Sequence, residues 1–154
     1  MKWGLGIGNW GLGIEYWEMG NWLNSSYTNL INMQTLDTLE VYIAAKTFRK
    51  EVITIANTFP KEEKFLLFAQ IKDSARSVTA NIAEGYGRFH YQEAIQFCQV
   101  SRGSLLETYD HLSSALEEQY ISETLFMEMK TKQEQLLKML NGYIAYLKRR
   151  KLEG

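Results

Sequence analysis

Lys148, Arg149, Arg150 and Lys151 form the one sharp charge run of this 154-residue chain, four cations in succession near its end. Such a run can contact phosphates, and Arg88, Lys72 and Arg76 are cationic companions on other stretches. It can equally complement the negative end of a helix, each cation contributing on the order of a few tenths of a kcal/mol. Phe89 and Tyr91 stand beside Arg88. Rings next to a positive charge suit stacking on bases, and they also suit plugging the end of a helix bundle or lining a subunit contact.

Other reactive side chains are sparse. His90 and His111 are the only histidines, and neither lies in a His-Glu-x-x-His or Glu-x-x-His pattern. A di-iron bundle needs Glu-x-x-His on each of two helices, so no metal site is expected. Cys98, the single cysteine, excludes an internal disulfide and sits on an apolar seam, as a small core residue would. Ser77, Asn81 and Glu84 share one helical face, four and seven positions on from the serine. Arg102 falls where the apolar spacing calls for leucine. A buried arginine requires a carboxylate, so Glu84 or Glu107 is expected to pair with it and fix helix register or a subunit contact. No nucleophile with an adjacent base accompanies this set. No catalytic residue, no cofactor and no enzymatic activity are expected.

These residues lie on four amphipathic patterns. The first runs from about Leu36 to Asn57, with Val41, Ala45, Phe48, Val52 and Ala56 on one stripe. Thr58-Phe59-Pro60 ends it, and Pro60 suits the first turn of the next helix, near whose positive end Glu62 and Glu63 then sit. That second helix carries Phe68, Ile71, Ala75, Val78 and Ile82 and continues to about Glu84, where Gly85 and Gly87 are expected to stop it in a left-handed cap. The third starts near Tyr91 with Ile95, Cys98, Arg102, Leu105, Tyr109, Leu112 and Leu116 as its stripe. Ser122 caps a fourth, with Leu125, Met129, Gln133, Leu136, Leu140, Tyr143 and Leu147 on one face. Met127, Met129 and Met139 read as core filler. Short connections favour antiparallel neighbours. The predicted fold is all-α: an antiparallel, up-down-up-down four-helix bundle.

Residues 1–32 have another character. WGLGI occurs at Trp3–Ile7 and again at Trp10–Ile14, and all four tryptophans and six of the eleven glycines precede Leu23. Glycine at every second or third position is costly in a helix and weakens a strand. The stretch is expected to be an unstructured Trp/Gly repeat leader, a translated tandem repeat upstream of the true start, with the bundle domain spanning 33–154 and Met33 as the alternative initiator. An aromatic anchor or a self-associating tail are its functional readings.

Charge is balanced. The chain has 17 basic and 18 acidic residues. Lys2, Glu15 and Glu18 are the charged residues of the first 32, which leaves 16 of each sign from Met33 onward. No whole-chain field advertises nucleic acid, so any such contact needs a local patch. Apolar runs fall far short of the roughly 20 residues that span a bilayer. The expectation is a cytoplasmic protein with no membrane partner.

Leu39-Glu40-Val41-Tyr42, Phe59-Pro60-Lys61-Glu62-Glu63, Asn81-Ile82-Ala83-Glu84-Gly85 and Arg102-Gly103-Ser104-Leu105 together resemble a bacterial family of four-helix bundles. It is named for open reading frames in intervening sequences of 23S ribosomal RNA genes. The resemblance covers about Leu39 to Leu147. It implies a helical bundle, a homo-oligomeric ring (most simply a pentamer) and association with RNA or DNA. Through a related accessory protein of diversity-generating retroelements, a basic barrel, it also implies a reverse transcriptase as partner. The chain departs from the pattern after Arg88, where Phe89-His90-Tyr91-Gln92 replace the usual serine and basic residues. With its neutral total, it lacks the strongly basic surface of a retroelement accessory protein. The expected function is a non-enzymatic oligomeric accessory that contacts nucleic acid through Arg88 and Lys148–Lys151. A pure protein–protein scaffold without nucleic acid is the alternative.

Overall fold

The computed structural model describes residues 35–153, so the expectations for the Trp/Gly leader lie outside the described residues. A 3-10 turn at Leu36–Thr38 leads into helix α1, Glu40–Ala56; a second 3-10 turn, Lys61–Phe65, precedes α2, Leu67–Tyr86; α3 is Tyr91–Glu117 and α4 is Glu123–Glu153. No strand occurs among the described residues. The protein is all-α with four helices.

Helices α1, α2 and α4 bury the stripes that their sequence periods dictate. Val41, Ala45, Phe48, Val52 and Ala56 are buried on α1, Ile71, Ala75, Val78 and Ile82 on α2, and Met129, Gln133, Leu136, Leu140 and Leu147 on α4. On α3 the buried set is Ala94, Ile95, Cys98, Ser101, Ser104, Leu105, Thr108, Leu112 and Ala115. A step of three from Cys98 reaches Ser101, so the seam turns away from Arg102, which is exposed, and leaves Tyr109 only half-buried. Met127 and Met139 are likewise exposed rather than core filler; Met129 is the buried one of the three.

The connections differ from expectation in three places. Pro60 opens the 3-10 turn and not α2. The first backbone N–H of α2, at Leu67, is satisfied instead by Glu63 Oε2 at 3.1 Å, a cap made by the side chain expected only to favour the helix dipole. Gly85 and Gly87 do not form a left-handed cap, since no glycine among the described residues has positive φ. Gly85 lies inside α2, where a Cβ would meet the Ala94 carbonyl oxygen and the Phe97 Cβ, each at 3.0 Å. The missing side chain lets α2 and α3 close up. The left-handed residue is Gln119, with φ 61°. Its N–H donates to the Leu116 carbonyl at 3.0 Å, and the Tyr120 N–H to the Ala115 carbonyl at 2.8 Å. This is the Schellman pattern at the end of α3, built on a glutamine. Ser122 caps α4 as expected, accepting from the Leu125 N–H at 3.2 Å.

Alpha2 packs most extensively on α3, followed by α3 on α4 and α1 on α2, with a smaller contact between α1 and α4. Residue numbers fall along α2 as they rise along α3. Val78 pairs with Ser101, Ser77 with Ser104 and Ser74 with Thr108. The same reversal relates α3 to α4, through Gln92 with Lys151 and Tyr109 with Phe126.

Candidate nucleic-acid interface

Two stretches about sixty positions apart in sequence meet at one end of the bundle. The α2–α3 loop brings Arg88, Phe89 and His90 to the start of α3, and the antiparallel pairing of α3 with α4 lays the last turns of α4 beside it. Lys151 Nζ donates to Gln92 Oε1 at 2.8 Å. Arg150 is held in its charged form by Tyr91 and by Glu153, whose Oε2 accepts from Nη1 at 2.9 Å.

The cations there are positioned in different ways. The Arg88 guanidinium pairs with Glu84 one helical turn back and covers the Phe97 ring at 4.8 Å. Arg149 lies 6.0 Å over Tyr146, itself stacked on Tyr143 at 6.2 Å. Lys148 and Arg149 are exposed and have no carboxylate partner among the described residues. Phe89 is 93% exposed, its ring meeting His90 edge-on at 5.1 Å. A cationic surface with a bare aromatic ring can neutralise phosphates and offer a stacking platform.

Lys72 and Arg76 are not brought to this end. They sit in the first half of α2, and Arg76 lies ten residues before Tyr86, roughly 15 Å along the axis. Lys72 Nζ instead covers the Phe68 ring at 5.2 Å.

The expected buried ion pair is absent. Arg102 lies on the surface and donates from Nη1 to Asn141 Oδ1 at 3.3 Å, joining α3 to α4. Glu84 is taken by Arg88, and Glu107 Oε1 lies 3.7 Å from His111 Nε2. What joins α2 to α3 is a set of hydroxyls. Asn81 Nδ2 donates to the Ser77 carbonyl at 2.8 Å and to Ser77 Oγ at 3.0 Å, and Ser77 Oγ lies 2.8 Å from Ser104 Oγ. Ser101 Oγ donates to the Val78 carbonyl at 2.8 Å. Thr108 Oγ1 lies 2.9 Å from Ser74 Oγ and 2.8 Å from the Ser104 carbonyl. Of the Ser77, Asn81 and Glu84 face, the first two belong to this network and Glu84 does not.

Sequence reasoning missed a polar cleft of about 380 Å³ beside these hydroxyls, lined by Gln70, Asp73, Ser74, Ser77, Glu107 and His111. His111 Nε2 is buried there without a hydrogen-bond partner. The signal available in sequence was the four-residue spacing of Glu107 and His111, which says nothing of α2. No group of three or more His, Cys, Asp or Glu side chains among the described residues is placed to hold a metal. Cys98 is fully buried, and burial pushes its thiol up to about 11. No helix among the described residues is long and apolar enough to cross a membrane.

Residues 37–142 match the family model of the 23S rRNA-intervening sequence protein. The chain is also similar to the crystal structure of a protein of unknown function from the S23 ribosomal protein family of Bacteroides thetaiotaomicron. The TM-score is 0.64 at 21% identity, over 68% of this chain and 95% of that one. At that identity the likeness concerns the fold. No curated protein matches the chain.

Proposed function

The chain belongs to the 23S rRNA-intervening sequence protein family, and on that premise we propose that it is a non-enzymatic, up-down-up-down bundle that assembles into a ring and associates with nucleic acid as a cytoplasmic accessory protein. The observation that carries the proposal is the convergence of Arg88 and the Lys148–Lys151 run on one end of the bundle, tied by the Lys151–Gln92 hydrogen bond. A chain with balanced charge can bind phosphates only where its cations are gathered, and this end gathers them. Repetition of the cluster around a ring turns weak single contacts into a multivalent one. The only thiol of the chain is held protonated in the core, which suits a binding role better than a catalytic one.

The outer face of α3 favours a second reading, assembly without nucleic acid. Val100 and Leu106 are exposed apolar side chains on either side of Gly103, which has open space where a Cβ would be. A smooth apolar strip of this kind suits contact with another protein surface. A gel-shift titration with a structured RNA and a DNA duplex at two salt concentrations decides between them. Binding that weakens steeply with salt is expected, and Lys148→Glu/Arg149→Glu should abolish it or flatten the salt slope by about two. No shift at low salt overturns the nucleic-acid proposal and leaves the scaffold.

A further inference from the structure

A separate pocket lies at the opposite end of α2, about 30 Å along that helix from the cationic cluster. It is a cavity of about 310 Å³ lined by Ala56, Asn57, Phe59, Pro60, Lys61, Lys64 and Phe68. Its floor is apolar and firmly held. Ala56 and Phe59 are buried, Phe59 packs against Tyr120 at 5.6 Å between ring centres, and Pro60 restricts the backbone between floor and rim. Its rim is cationic. Lys61 and Lys64 have no carboxylate partner among the described residues, and Lys72 Nζ covers the Phe68 ring at 5.2 Å, a third cation next to the same floor.

Of the two carboxylates of this turn, Glu62 is exposed and does not line the pocket, and Glu63 is turned elsewhere. Glu63 Oε1 accepts from the Tyr120 hydroxyl at 3.1 Å, and Oε2 from the Leu67 N–H at 3.1 Å. Both oxygens are engaged in closing the turn. An apolar floor under unneutralised ammonium groups rejects cations, leaves a bare inorganic anion without contact to the floor, and leaves a neutral hydrocarbon without contact to the rim. We infer that the pocket binds a small organic carboxylate with a flat apolar body of about ten non-hydrogen atoms, the body on Phe59 and Phe68 and the carboxylate between Lys61 and Lys64.

The test is a titration of the full chain with 4-phenylbutanoate, followed by the NMR shifts of the Ala56 methyl and the Phe68 ring. Saturable shifts are expected in the wild type. Affinity should fall at least tenfold for Lys61→Gln/Lys64→Gln, and at least tenfold for the uncharged analogue 4-phenylbutanol on the wild type. Both lysines are exposed, so the variant should retain the parent unfolding temperature, which is checked alongside. Absence of saturable shifts in the wild type overturns the inference. So does equal affinity for the alcohol, an unchanged affinity in the double variant, or equal shifts from inorganic phosphate.

Discussion

Between α2 and α3 the polar contacts are short, buried or half-buried, and made by serine and threonine, while between α1 and α4 a long lysine reaches two carboxylates at the rim. Ser101 and Thr108 are fully buried, and the helices approach so closely that a Cβ on Gly85 would crowd the Ala94 carbonyl oxygen and the Phe97 Cβ at 3.0 Å. Lys132, by contrast, places its Nζ 2.6 Å from Glu51 Oε2 and 2.7 Å from Glu128 Oε1, with roughly a third of each bridging side chain still wet on the α1 side. Glu128 and Glu51 hold that lysine above its usual pKa. Hydroxyls on small side chains fit a narrow gap, and those of Ser101 and Thr108 make their bonds in the fully buried part of it. Long charged groups span a wider gap, where solvent competes for the same atoms. The strong-looking pair is the weaker joint.

Four substitutions put this contrast to the test. Gly85→Val should cost about 3 kcal/mol in urea unfolding, because the added carbon meets the Ala94 backbone, which cannot yield as a flexible side chain would. A variant as stable as its parent would mean that the close approach is not needed. Thr108→Val keeps the shape and removes one hydroxyl from between Ser74 and the Ser104 carbonyl. Its expected cost is about 1–2 kcal/mol, read by the same measurement. Gly142→Ala, on the open face of α4 where the new carbon would touch no other part of the described structure, should have the opposite sign to Gly85→Val. A gain of about 0.5–1 kcal/mol follows from helix propensity. Lys132→Met, finally, should leave the unfolding midpoint almost unmoved at both low and high salt. A large loss would place the α1–α4 joint on a par with the hydroxyl seam.

The same contrast marks what the sequence could reveal. The stripes on α1, α2 and α4 are legible because large aliphatic side chains recur at steps of three and four. On α3 the seam is carried partly by Ser101, Ser104 and Thr108, which a hydropathy pattern assigns to water, so the stripe slips onto Arg102 and Tyr109 and suggests a buried ion pair that does not exist. Gly85 reads as a helix stop because its reason, the proximity of Ala94, lies on another helix. Gln119 reads as nothing at all, though it holds the left-handed position that ends α3. The cationic end is half legible. Its residues stand out in the sequence, but that Arg88 and Lys148–Lys151 share one end follows only from the opposed course of α3 and α4.

Cys98 sits on that same α3 seam with no surface of its own, and it is the only sulfhydryl the chain possesses. An alkylating reagent can reach it only in moments when the helices part. The pace of modification, set against that of a free cysteine at the same pH, therefore counts those openings. The protein carries a built-in stopwatch for its own breathing, with no label to be engineered.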